Sequence, residues 1–156
     1  MSGNAKSARK AMPLEITINR AAGPWRASLP RYRHLVRKWC IAAIKPERGG
    51  ELAVVLGDDE MVQELNHTYR GKDKPTNVLS FEGAGGEVGD IILSFTTIEA
   101  EAKEQHKSFE QHVAHLVVHG CLHLQGYDHE KDADANLMEA RENEILALLG
   151  YPDPYK

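Results

Sequence analysis

The chain has 156 residues, of which 42% are hydrophobic and 27% are charged, and its formal net charge is −4. This length and composition fit one soluble globular domain, and they exclude collagen-like, coiled-coil and fully disordered chains. No apolar run reaches the roughly 20 residues that a membrane span needs. The polar N-terminus lacks the apolar stretch of a secretory signal. Cys40 and Cys121 suit a reducing compartment, so we expect a cytoplasmic protein with no membrane or disulfide partner.

The net charge conceals a gradient along the chain. Residues 1–78 carry 14 Lys and Arg against 8 Asp and Glu, a net +6. Residues 79–156 carry 5 against 15, a net −10. Such asymmetry is typical of proteins with a polyanionic partner, but two solvated faces of opposite sign would produce it as well.

The hydrophobic periodicity predicts strands that alternate with helices, followed by helices alone. A strand is expected at 14–19, and Ser28 is the expected N-cap of a helix with an apolar stripe from Tyr32 to Ala43. The later segments are predicted as strands at 51–56, 77–81 and 90–95 and as helices at 58–69, 98–107, 109–124 and 132–149. The strands around the glycine-rich stretch 83–89 should pair antiparallel.

This order of elements predicts an α+β fold with a small mixed sheet of about four strands packed against several helices. We expect residues 1–12 to form a flexible N-terminal arm and residues 13–156 to form one domain. No repeat or long linker divides that domain.

Six of the eight histidines lie between residues 106 and 129. His119 and His123 are four residues apart, so their imidazoles share one helix face and can reach one ion. His115 is about 12 Å of helix rise from His123, too far for both to bind the same ion on a straight helix. Gly126 provides a turn that can return the chain and deliver His129. We therefore predict His119, His123 and His129 as metal ligands in the C-terminal helical part, with His112 and His115 in packing or supporting positions.

The spacing of these histidines is shared by one class of zinc proteases, in which Glu follows the first His as the general base. Gly120 occupies that position here, which argues against peptide hydrolysis. Three histidines without an evident fourth ligand favour an open catalytic site over a closed structural one. Cys121 points about 200° around the helix from His119, whereas Asp128 remains an alternative fourth ligand.

The segment from His119 to His129 resembles the signature of the YbeY family, bacterial metal-dependent endoribonucleases of ribosomal RNA maturation. The resemblance extends to residues 66–81, 89–94 and the C-terminal tail. Small departures are Glu82, where proline is common, and Val88, where leucine is usual.

This resemblance implies one zinc ion on the three histidines, with another divalent metal as an alternative, and a functional arginine at Arg70. A guanidinium suits that role because it can donate two parallel hydrogen bonds to a phosphoryl group that gains negative charge. We therefore predict Arg70 and His119 as catalytic residues, with Lys72 and Lys74 as substrate-binding residues beside them.

The predicted function is zinc-dependent, single-strand-type endoribonuclease activity in 16S ribosomal RNA maturation and ribosome quality control. The expected partners are precursor ribosomal RNA and the small ribosomal subunit. The nucleophile stays open between an activated water and the RNA 2′-OH, since no side chain is an evident general base. One alternative is a ribosome assembly factor with a structural zinc, and a weaker one is a zinc peptidase without the usual Glu.

Overall fold

The computed structural model describes residues 13–128 and 130–156. Within them, the predicted four-stranded mixed sheet and single domain are confirmed. The strands are β1 (Leu14–Arg20), β2 (Gly50–Gly57), β3 (Val78–Glu82) and β4 (Gly89–Ser94). The helices are α1 (Trp25–Ser28), α2 (Tyr32–Ala43), α3 (Asp59–Arg70), α4 (Phe95–Glu104), α5 (Phe109–Leu124) and α6 (Asp132–Leu148), with a 3-10 turn at Pro46–Arg48. The predicted arm at 1–12 lies outside the described residues.

The sheet has the strand order β1-β2-β4-β3. β2 pairs parallel with β1 and β4, and the predicted antiparallel pairing of β3 with β4 is confirmed. Apolar residues alternate along the strands, so Leu52, Val54 and Ile91 join the main core while Ile92 joins a smaller cluster with Val62 of α3. Burial on both faces therefore places helices on both sides of the sheet, and β1 and β3 form its two edges.

The prediction that Ser28 caps the long second helix is wrong. Ser28 is the last residue of α1, a single helical turn that starts after Gly23-Pro24, and its amide donates to the Pro24 carbonyl at 3.2 Å. The turn forms because Trp25 is fully buried and its indole N–H donates to the Gly57 carbonyl at 3.0 Å. Pro30 lies between the two helices, and α2 begins after Arg31 without a side-chain cap.

The C-terminal tail folds back over α5. Tyr151 accepts a hydrogen bond from the Trp39 indole at 3.2 Å and donates one to Glu110 at 2.7 Å. Lys107 donates to the Pro154 carbonyl at 3.0 Å. These contacts bring the end of the chain next to the histidine-bearing helix.

No helix in the described ranges has the length and apolar character to cross a membrane.

Gly89 determines how closely β4 approaches its neighbours. Its φ is +140°, and a Cβ there would lie 2.3 Å from the Phe81 carbonyl oxygen. We expect Gly89→Ala to destabilise the fold by more than about 1 kcal/mol, since both the backbone angle and the contact oppose a side chain. Gly86→Ala is the control, because nothing lies within 4 Å of its Cβ position. Urea unfolding of both variants tests this, and equal midpoints would contradict it.

Candidate metal centre and adjoining cleft

Helix α5 carries the central histidines and has well-defined ends. At its start, the Ser108 hydroxyl accepts from the Gln111 amide at 3.1 Å while the Gln111 side chain accepts from the Ser108 amide at 3.0 Å. At its end, Gly126 has a φ of +95°, as the predicted turn requires. The amides of Gly126 and Tyr127 donate back to the carbonyls of His123 and Leu122 at 3.0 and 3.1 Å. His129, the third predicted ligand, lies outside the described residues.

His119 and His123 lie one turn apart, with their ring centroids separated by 4.7 Å. Two imidazoles that bind one zinc ion at about 2.0–2.1 Å hold their centroids about 5 Å apart, so this pair fits a shared ion. Imidazole donors suit zinc and several other divalent transition metals. The donor chemistry of the pair therefore fits the predicted metal centre without selecting the metal.

Behind His119 lies Glu142 of α6, which is fully buried. One carboxylate oxygen of Glu142 is 3.0 Å from both His119 Nδ1 and His115 Nε2, and the other accepts from the Tyr155 hydroxyl at 2.7 Å. Burial raises the pKa of the Glu142 carboxyl, but the hydrogen bonds from His115, His119 and Tyr155, together with the charge of His119, lower it to about 2. The carboxylate is therefore ionised and accepts only, so both imidazole nitrogens donate to it.

The structure also brings together a three-residue group that sequence reasoning did not propose. Single ligand atoms of His115, His119 and Glu142 all lie within 4.8 Å of one another, a spacing that could hold a metal ion. This group shares His119 with the predicted set. His112 instead contacts Glu101 at 2.8 Å in the interior, as a packing position implies.

A cleft of about 860 Å³ opens next to His119 and His123. Three cationic side chains from the end of α3 and the following loop line it as well, namely Arg70, Lys72 and Lys74. One cavity therefore contains both predicted metal ligands that the structure describes, His119 and His123, and all three cations predicted to contact the substrate. Its wall also includes Glu82, Asp128 and Glu130.

Arg70 is held in place by strand β3. Its Nη2 donates to the Ser80 carbonyl at 2.7 Å, and its guanidinium carbon lies 5.1 Å from the centre of the Phe81 ring. A guanidinium has five N–H donors, so one bond to the backbone leaves others that can reach into the cleft.

The loop that carries Lys72 and Lys74 is tied down by buried Asn66. The Asn66 side chain donates to the Lys74 carbonyl at 2.9 Å, and the backbone carbonyl of Asn66 accepts from the Lys72 amide at 3.2 Å. Gly71 starts the loop with a φ of +68°, which ends α3. Asn66 therefore holds the loop at both lysines, through its side chain at Lys74 and through its backbone carbonyl at Lys72.

Gly120 faces the sheet rather than the cleft. A Cβ at this position would lie 3.1 Å from both the Ile91 side chain and the Ser80 hydroxyl. A glutamate would need still more room in this contact between α5 and the strands. Tight packing therefore disfavours a side chain at this position, and Gly120 offers no protease-type base next to His119, which weighs against the peptidase alternative.

Sequence reasoning missed Glu142 and Tyr155. A signal for Glu142 existed, since it follows Met138 by four residues and precedes Ile145 by three, which places it on the buried face of α6. Nothing local marks Tyr155, because its contact with Glu142 depends on the folded tail.

The fold and the site define an α+β protein with a potential metal centre in a cleft that carries three cationic side chains on one wall. Comparison with known proteins identifies the family. A family profile described as Endoribonuclease YbeY matches residues 20–150. The chain is 42% identical to the endoribonuclease YbeY of Parvibaculum lavamentivorans, covering 97% of this chain and 90% of that protein. It is 46% identical to that of Pseudomonas putida, covering 91% and 93%.

The solution structure of a Thermotoga maritima protein is also similar, with a TM-score of 0.53 and 26% identity over 92% of this chain and 99% of that chain. The chain belongs to the YbeY family of endoribonucleases. The family and the enzyme class predicted from the sequence are thereby confirmed.

We expect Glu142→Gln to lower the free energy of unfolding by about 1–3 kcal/mol near neutral pH, because at this buried position the amide replaces one of the two acceptor oxygens with a donor. Since the folded-state pKa of Glu142 lies below its ordinary value of 4.5, the wild-type advantage is complete above about pH 4.5. It disappears as the pH falls through about 2. Urea unfolding across this pH range measures it. Glu144→Gln, at an exposed ion pair with Arg141, is the control and should change little.

Proposed function

We propose that this protein is a zinc-dependent endoribonuclease that cleaves single-stranded RNA in 16S ribosomal RNA maturation and ribosome quality control. The observation that carries the proposal is the shared cleft, in which Arg70 and two histidines at metal-ligand spacing line one cavity. Family membership supports RNA as the substrate. The proposed partners are the small ribosomal subunit and precursor ribosomal RNA. The proposed location is the cytoplasm.

The proposed ligands are His119, His123 and His129. Donation from His119 Nδ1 to the ionised Glu142 leaves the lone pair of the neutral imidazole on Nε2, so Nε2 is the proposed metal-binding atom. Glu142 itself is fully buried, whereas His119 and His123 line the cleft that a substrate would enter. Glu142 and His115 are therefore proposed as residues that orient His119 rather than as ligands.

A bound zinc ion would supply a Lewis acid at the scissile phosphate and a lowered pKa for water. The chain's own contribution is charge and position. Arg70, fixed by its bond to the Ser80 carbonyl, is proposed to stabilise the negative charge that develops on the phosphoryl oxygens. Lys72 and Lys74 are proposed to hold flanking phosphates, because both lie on the loop that Asn66 anchors beside Arg70.

The ligand set is tested by comparing His123→Ala with His115→Ala. The proposal expects His123→Ala to lose the bound zinc and at least about 100-fold in RNA cleavage, a typical loss for a catalytic electrostatic group. His115→Ala should keep the metal. Elemental analysis of the purified proteins, with circular dichroism as a check on folding, measures this. Loss of metal from His115→Ala but not from His123→Ala would instead assign the ion to His115, His119 and Glu142.

The role of Arg70 is tested by Arg70→Ala, for which we expect full metal content and a fall of about 100–1,000-fold in kcat. Arg141→Ala, at the exposed pair on α6, should cleave normally.

The assembly-factor alternative predicts that Arg70→Ala leaves ribosome maturation intact and that metal removal unfolds the protein. The ends of the products separate the two nucleophiles, since a 2′,3′-cyclic phosphate indicates attack by the RNA 2′-OH.

A further inference from the structure

A second cationic surface lies away from the cleft. Between Glu15 and Glu47 the chain contains no Asp or Glu, yet it contains seven Lys and Arg. Five of these are exposed at the end of β1 and on α2, and together they form what we call the basic face: Arg20, Arg31, Arg33, Arg37 and Lys38.

Contacts within the structure place Arg20, Arg33 and Arg37 together, while Arg31 and Lys38 lie seven residues apart on the solvent-exposed side of α2. Arg33 and Arg37 donate to the carbonyls of Ile18 and Ile16 at 3.4 and 3.2 Å, along the outer edge of β1. Arg20 and Arg33 approach the ring of Tyr32, at 5.9 and 5.2 Å from its centroid. Helix α2, with 12 residues, is about 18 Å long, so the basic face extends over a comparable length.

The charges of the basic face are not neutralised within the described part of the chain. None of the ion pairs found there involves any of its five cations. Arg31 and Arg33 lie at the N-terminus of α2, whose first turn has no acidic residue, although the helix dipole disfavours cations at that end. Arg33 and Arg37 are a like-charged pair one turn apart, which is also unfavourable. Protection of the β1 edge explains Arg33 and Arg37, whereas Arg31 lies at the helix end where the dipole disfavours a cation.

We propose that the basic face is a second RNA-binding surface, which holds the phosphate backbone of a long or folded substrate while the cleft acts on one bond. The inference rests on the proposed function, because RNA is the polyanion it assigns to the cleft. Since β1 and β3 are opposite edges of the sheet, about three strand spacings or 14 Å apart, a short oligonucleotide in the cleft does not need the basic face. The surface therefore contributes to the binding of long RNA in particular.

The test uses the metal-loaded full chain with a structured RNA of about 60 nucleotides and a short oligonucleotide that contains the same cleavage site. Arg31→Gln with Lys38→Gln removes two cations that make no hydrogen bond or ion pair found in the described structure. Lys103→Gln with Lys156→Gln makes the same change in net charge elsewhere. We expect the first pair to raise KM for the long RNA several-fold with kcat unchanged, and to leave both constants for the oligonucleotide unaltered. The control pair should change neither substrate.

Salt dependence provides a second measure. For the long RNA, the slope of log KM against log salt concentration should be smaller by roughly 1.4–1.8 in the variant with Arg31→Gln and Lys38→Gln. The reason is that each lost phosphate contact removes about 0.7–0.9 from this slope. Equal effects of the two pairs, or no change with long RNA, would overturn the proposal. Normal RNA kinetics with weakened binding to the protein components of the small subunit would assign the surface to a protein partner instead. Absence of cleavage of both RNAs by the wild type would refute the proposed function itself.

Discussion

The site depends on one buried carboxylate. Glu142 lies inside the protein on α6 and accepts hydrogen bonds from two histidines of α5 and from Tyr155 in the tail. An ionised carboxylate is costly to bury unless its oxygens are hydrogen-bonded, and here two donors on α5 and one in the tail provide those hydrogen bonds. The same bonds set which nitrogen of His119 carries its proton. The packing of α5, α6 and the tail is thus coupled to the orientation of a candidate metal ligand.

A second constraint is the close contact between α5 and the strands at Gly120. The missing side chain lets the helix approach Ile91 and Ser80. Ser80 also supplies the carbonyl that holds Arg70, so the contact brings the histidine helix and the arginine to the same strand. Gly120, at the position where zinc proteases carry their general base, therefore also allows the close helix–strand contact that brings the histidines and Arg70 into one cleft.

The fold shows where the cations of the basic first half of the chain lie. Eight of the 14 cations from the first half lie in two places, the cleft next to β3 and the basic face on β1 and α2, at opposite edges of the sheet. The cleft contains Arg70, Lys72 and Lys74 but none of the α2 arginines, because β2 and β4 separate the two edges.

Features with a local cause were predictable. Helix α5 was predicted at its observed bounds because its run of mainly apolar and histidine residues begins after Ser108 and ends before Gln125, and the turn at Gly126 followed from the freedom of glycine at positive φ. The junction of β4 with α4 was predicted less well, since the helix begins at Phe95 rather than Ile98. Its start depends on Asp59, which accepts from the Thr97 amide at 3.1 Å across 38 residues of sequence.

By itself the sequence determined the α+β class, the order of the strands along the chain and the pairing of His119 with His123, because hydrophobic period and residue spacing are local properties. The family could be recognised for the same reason, since its motifs are contiguous stretches. Only the tertiary structure decided that Glu142 and Tyr155 support the histidines and that the α2 arginines lie apart from the cleft. The first depends on contacts between residues far apart in the chain, of which Glu142 and Tyr155, 13 positions apart, are the nearest, and on the burial of a charged group. The second depends on the order of the strands in the sheet, which local sequence patterns do not specify.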